Sequence, residues 1–285
     1  MSRSFGRSPI TKIYVDSRFK TRESTADTNF SVDLPEMVEL GEGVGCLITD
    51  ITIPHTWYNI NQTNNRLYFR IVRQGMLVAV QDGAIAITPQ NYNIIDLAQQ
   101  IQDTLNEYVQ FATFFTVTAY PELGTIEFDV TVANTAVEIL DDTTLQGREG
   151  GTWAGPVYDT NNLRSMNGVL RMNGRVRQSR IISPSTAVET GVVDLLPFHS
   201  LYITSTKLSN YTSLSVNGQR NVLKKVLVSS GYGDINYYDY IFPEEASDVS
   251  GLSLKLIDFQ IRDGYGNVID LNGAHVTFTI VFIKL

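Results

Sequence analysis

The chain has 285 residues, room for one large domain or two modest ones, and at 43% hydrophobic and 18% charged it carries enough apolar material for a sizeable core. Its formal net charge of −8 disfavours tight nucleic-acid binding by the folded body. A single cysteine, Cys46, excludes an internal disulfide and fits folding in a reducing compartment.

Positive charge is concentrated. Arg3, Arg7, Lys12, Arg18, Lys20 and Arg22 crowd the start of the chain, opposed there only by Asp16. Arg164, Arg171, Arg175, Arg177 and Arg180 form a second stretch with no carboxylate among them. Residues 1–11 are polar and basic, lack the apolar centre of a secretory signal, and read as a flexible arm. No apolar run reaches the length of a membrane span.

Strand patterns begin at Lys12–Asp16. Asn29–Leu34 follows, with Phe30, Val32 and Leu34 alternating as a half-buried strand requires. Cys46–Ile53 is nearly continuous apolar and reads as buried on both faces; Pro54 ends it. Arg66–Val72 and Met76–Val80 read as strands paired around Gln74-Gly75, with Ala84–Thr88 a further short strand.

One helix is predicted, from Ile94 to Val109. Asn93 caps it, Asp96 stands three residues on, and Leu97, Ile101 and Leu105 recur every four residues as an apolar stripe for a sheet face. Phe114–Tyr120 and Thr125–Val130 then form a hairpin around Pro121–Gly124. Gln146–Gly174 is rich in Gly and Asn and reads as long loops.

The remainder is β again: Ser200–Thr206, Leu223–Ser229, Leu252–Asp263 and His275–Leu285. In Leu252–Asp263 the alternation of Leu252, Leu254 and Leu256 changes phase before Phe259 and Ile261, as a bulge would cause. Asp263–Asn267 and Asn272-Gly273 supply turns. The fold class is therefore mainly all-β, a β-sandwich with an inserted small α+β subdomain. The boundaries expected are an arm over 1–11, the sandwich over 12–65 and 145–285, and the insertion over 66–144.

No catalytic or metal-binding pattern emerges. His55, His199 and His275 are scattered and lack Cys, Asp or Glu at ligand spacing, so structural roles are expected. Asp141-Asp142 and Glu244-Glu245 are adjacent pairs, which read as solvated loop charge rather than carboxylates facing across a cleft. Asp263–Asn267 lacks the repeated ligands of a calcium loop and reads as a turn. Phosphate-binding, dinucleotide and nucleophile-elbow motifs are missing. No cofactor and no metal are expected, and Cys46 reads as a small buried hydrophobe.

Several segments resemble the minor capsid proteins of virophages, polinton-like viruses and related large DNA viruses. The likeness lies in Leu201–Ser205, Leu256–Asp263, Gly266–Leu271 and Val276–Ile280, and earlier in Tyr14–Arg18, Phe30–Val32, Ile51–Pro54 and Tyr58–Ile60. It covers about two thirds of the chain. It implies a jelly-roll penton or minor capsid protein, found in the virion, with itself as partner in a homopentamer and the major capsid protein as neighbour. The chain departs from the double jelly-roll form in being short and in holding a helix-containing middle, so the penton is the preferred reading. Arg3, Arg7, Arg171, Arg175, Arg177 and Arg180 are then candidate intersubunit contacts, and the basic arm a candidate for weak contact with nucleic acid. Two rivals remain at this point. One is a glycan- or receptor-binding sandwich using Trp57, Tyr58, Trp153, Tyr158, Tyr237, Tyr238 and Tyr240; the other is a polysaccharide hydrolase, for which no carboxylate pair is nominated.

Overall fold

A computed structural model describes residues 12–73, 79–147, 165–171, 180–184, 186–196, 198–209, 214, 218, 220–239 and 243–285. In chain order the strands are β1 (Lys12–Asp16), β2 (Asn29–Glu39), β3 (Val44–Pro54), β4 (Arg66–Arg73), β5 (Ala79–Ala86), β6 (Phe115–Tyr120), β7 (Thr125–Val130) and β8 (Thr135–Ile139). They continue with β9 (Arg180–Ile182), β10 (Val188–Glu189), β11 (Ser200–Thr204), β12 (Val222–Leu227), β13 (Ile235–Tyr238), β14 (Ser247–Asp248), β15 (Ser253–Arg262) and β16 (Thr277–Lys284). The helices are α1 (Ile94–Val109), α2 (Asp142–Gly147) and α3 (Asn167–Leu170).

Two compact units divide the chain: Met1–Trp57 with Phe198–Leu285, and Tyr58–Pro197. In the first unit β1 pairs with β16, β2 with β15, β3 with β13, and β11 with β12, all antiparallel. This is one long hairpin with its outermost strands at the two ends of the unit's sequence. Two further ladders, β16 with β3 and β15 with β11, roll the hairpin into two sheets, β1-β16-β3-β13 and β12-β11-β15-β2. Eight strands connected in this way make a jelly roll.

The core between these sheets follows from alternation. Cys46, Ile48, Ile51 and Ile53 of β3 and Phe278, Ile280 and Phe282 of β16 face Phe30 and Val32 of β2 and Ile257, Phe259 and Ile261 of β15. Phe259 meets Phe278 edge-on, with ring centroids 4.9 Å apart. Each such side chain contributes roughly 1.5–3 kcal/mol when fully buried. The phase change expected in β15 is present: its register with β2 shifts between Leu254 and Leu256, which leaves Leu256 exposed while Leu254 and Ile257 are buried.

Strand β2 runs past Pro35, beyond the expected end at Leu34. Proline is tolerated because β2 is an edge strand and residues 34–37 bulge away from the ladder opposite Lys255. The Lys255 amine reaches the freed carbonyls of Leu34 and Pro35.

The second unit holds the sheets β5-β4-β8-β9 and β10-β7-β6. Helix α1 has the predicted bounds, with the Asn93 side chain accepting the Asp96 N–H at 2.9 Å. Leu97, Ile101 and Leu105 share a core cluster with Val117, Phe128 and Val130. The unit is wider than the expected 66–144 insertion. β9 pairs with β8, placing Ile182 opposite Val137, and β10 pairs with β7, placing Val188 opposite Phe128. Residues near 180–190 thus complete sheets of this unit rather than the sandwich.

β5 is a single strand where two were expected. Gly83 lies in its middle because a Cβ there would come within 2.8 Å of Phe69 and 2.7 Å of Tyr108. The expected turn Gln74-Gly75, residues 76–78 of the expected strand Met76–Val80, and most of the expected loop region Gln146–Gly174 (148–164 and 172–174) lie outside the described residues.

Candidate assembly surface

Of the six arginines singled out, Arg3, Arg7, Arg175 and Arg177 lie outside the described residues. Arg180 starts β9, opposite Ile139. Arg171 ends α3 in the left-handed conformation, φ 43°, and its guanidinium is paired with Asp194 of its own unit. Its charge is therefore answered within the chain.

The basic N-terminal stretch is also partly neutralised. Arg18 folds back onto Asp16, its Nε 3.1 and 3.0 Å from the two carboxylate oxygens and its Nη2 2.6 Å from one of them. The Arg18 guanidinium holds the Asp16 carboxyl below the usual carboxylate range. Lys20 pairs with Asp27 at 2.6 Å. Asp27 lies beyond the stretch in sequence and returns to it through the turn before β2.

Three of the four paired carboxylates, Asp141, Asp142 and Glu245, make side-chain contacts. Asp141 caps α2, accepting the Thr144 N–H at 2.7 Å, and Asp142 accepts from Ser165 and Asn167. Glu245 is exposed, in keeping with solvated charge, and also binds Lys224, a buried lysine on β12 whose ammonium stands 4.8 Å from the Tyr238 ring centroid. The sequence signal missed there is Val222–Lys225, where a lysine falls at a buried position of a strand. Asp263 is a turn residue: Oδ1 accepts the N–H groups of Tyr265 and Asn267, and Oδ2 the Asn267 amide.

His55 is buried, stacked on Trp57 at 4.0 Å between ring centroids, with Nδ1 2.8 Å from the Ser230 carbonyl. Burial pushes the Cys46 thiol up to about 12, which removes it as a nucleophile near neutral pH. Among the described residues no group of three His, Cys, Asp or Glu is placed to hold a metal ion. No described helix is long and apolar enough to cross a membrane.

An open, polar cleft of about 450 Å³ lies beside β2 and β15, lined in part by Glu23, Asp33 and Asp258. Asp258 is committed to the N–H groups of Thr206 and Lys207, and Asp33 pairs with Lys255 at 3.4 Å. Of the described aromatics proposed for a glycan, Trp57 is only 3% exposed, packed between His55 and Phe198, and Tyr238 lies beneath Lys224, whereas Tyr237 is exposed. Trp153, Tyr158 and Tyr240 lie outside the described residues. What the first unit does present is broad sheet surface, with Tyr14, Ile235 and Tyr237 exposed on the outward face of β1-β16-β3-β13.

Residues 40–250, about three quarters of the chain, match a profile described as a family of unknown function, DUF5901. The chain belongs to DUF5901. The span matched in this DUF5901 chain takes in the whole second unit and the inner strands β3, β11, β12 and β13 of the jelly roll; the outer pairs, β1 with β16 and β2 with β15, fall outside it. No curated protein matches the chain. Among solved structures it is similar to the mavirus penton protein, with a TM-score of 0.52 and 7% sequence identity, over 96% of this chain and 99% of that one. At that identity the likeness is one of fold, and it runs through both units.

Proposed function

We propose that this DUF5901 member is a structural subunit of an icosahedral viral capsid, the penton at its vertices. The observation that carries the reading is the fold likeness to a penton protein over nearly the full length of both chains. Likeness confined to the jelly roll would say little, since that sandwich serves many functions. The sequence resemblance to minor capsid proteins points the same way. In this reading the chain is not an enzyme; it acts by closing a ring of five copies through heterologous contacts and by meeting the major capsid protein around it, within the virion.

The test is native mass spectrometry of the purified full chain, followed by electron microscopy. The expected species is five times the 31.8 kDa subunit, with rings of five-fold symmetry in the images. A chain that stays monomeric at high concentration, and also when mixed with its major capsid protein, would overturn the penton reading.

A further inference from the structure

The outward face of the β1-β16-β3-β13 sheet can be read row by row. Tyr14 lies opposite Thr279, and Thr279 opposite Thr49; Thr277 lies opposite Thr52, and Thr52 opposite Tyr237. Between these rows β3 has one residue more than β16, and Asp50 in that bulge is left-handed, φ 48°, and exposed. Asp239 follows β13 directly. The Tyr237 phenol is pushed up by desolvation and then by the charges of Asp239 and Asp50, so the three groups lie together. Among the described residues Asp16, Asp27, Asp82 and Asp194 each pair with a lysine or arginine, whereas none pairs with Asp50 or Asp239.

The face is also more apolar than one that simply meets water. Tyr14, Tyr237 and Ile235 are 78%, 60% and 58% exposed. Leu47, Thr49 and Thr279 point out of the same face and are nonetheless buried. The Asp239 carbonyl takes the Thr49 hydroxyl and shelters the β13 side. On the β1 side the face is bounded by the strand that begins at Lys12.

We propose that residues 1–11 of the same chain dock across this face, with Arg3 and Arg7 against Asp50 and Asp239. Three arguments identify this occupant. The segment joins β1, the edge strand of this sheet, two strands from Asp50. Two strand spacings are about 10 Å, and eleven extended residues reach up to roughly 36 Å. The segment carries Arg3 and Arg7 and no carboxylate, while the face offers two carboxylates that no described lysine or arginine answers, Asp239 being hydrogen-bonded to Tyr237. It also holds Phe5, an aromatic ring suited to the exposed Tyr237–Ile235 surface. Tethering makes the segment's effective concentration at its own face far exceed that of any neighbour's. The inference stands independently of the capsid reading.

Disulfide trapping in the full chain tests it. Ser4→Cys is combined with Thr52→Cys on the face, or with Lys225→Cys on the outward side of the other sheet; buried Cys46 gives a silent background. The expected result is a disulfide at monomer mass for the Ser4–Thr52 pair, forming about ten-fold faster than for the Ser4–Lys225 pair. Raising NaCl to about 0.5 M, or introducing Asp50→Asn with Asp239→Asn, should slow it several-fold by weakening the charge contacts. Equal rates for the two pairs, or no response to salt and to the asparagine variants, would overturn the proposal. So would crosslinks found only between chains, which would assign the face to a neighbouring copy's segment. In the asparagine variants, retained circular dichroism distinguishes a lost docking contact from a lost fold.

Discussion

Asn106 is a buried polar residue on the core side of α1, and its amide completes a ladder. Nδ2 donates to the Phe115 carbonyl at 3.0 Å while Oδ1 accepts the Phe115 N–H at 2.8 Å; one turn earlier Gln102 Oε1 accepts the Val117 N–H at 2.9 Å. β6 is the last strand of its sheet, so these helix side chains close an edge that would otherwise be free to pair with another strand. Asn106→Leu keeps the volume and leaves two buried backbone groups without partners, at a cost of about 2–4 kcal/mol. Urea denaturation should show that loss; a change below about 0.5 kcal/mol would mean that the edge finds other partners. Cys46 supports a second prediction at this scale. Its thiol is raised to about 12 in the folded chain, above its value when unfolded, so the unfolded state loses the proton first as pH rises. The associated stability is fully present below about pH 8.5 and declines above it, by on the order of 1–2 kcal/mol at pH 10. Comparing the pH dependence of wild type with Cys46→Ala isolates the effect: the variant should decline less steeply, and parallel curves would count against a buried neutral thiol.

At the scale of elements, what the sequence discloses depends on whether local chemistry or a distant partner decides. Helix α1 is legible to the residue because Asn93 and the Leu97–Ile101–Leu105 stripe are local signals. β1 and β7 match the expected bounds, and β15 and β16 come within two residues of theirs, since each alternates cleanly. β13 was not anticipated: Ile235, Tyr237 and their neighbours alternate exposed over buried along an edge, and only the register with β3 makes them a strand. A glycine inside a strand pattern looks like a break, whereas Gly83 in β5 yields space to Phe69 and Tyr108. Candidate contacts were harder still. Asp16, two residues from Arg18, is a visible partner, but the sequence around Arg171 and Lys20 does not reveal that Asp194 and Asp27 will answer them. The α1 stripe gives the sharpest test at this scale. Ile101 is fully buried among Leu97, Leu105 and the hairpin strands. Ile101→Asp should cost several kcal/mol, on the order of 3–5, and lower the melting temperature of the second unit. Wild-type stability in that variant would mean the stripe does not face a core.

At the scale of the whole molecule, the first unit is assembled from the two ends of the chain, and its interruption is local. The chain leaves that unit after Trp57 and re-enters at Phe198, and these two rings pack with centroids 5.5 Å apart. Each of the four sheets draws all its strands from one unit, so the hairpin that makes the jelly roll is complete without residues 58–197. Loop-closure entropy grows only slowly with loop length, about 0.6 kcal/mol for each doubling, so a long insertion at such a point is tolerated and a short replacement should be too. We expect a chain in which a short Gly-Ser linker replaces residues 58–197 to fold as an eight-stranded sandwich. It should show β-type circular dichroism and a cooperative thermal transition. If it instead aggregates or melts without cooperativity, the second unit is required for the sandwich to form. Where it folds, its mass in solution separates two ways of building a ring. Retained oligomers would place the closing contacts on the jelly roll, and monomers would place them on the second unit, whose edge at β6 is already closed by Asn106 and Gln102.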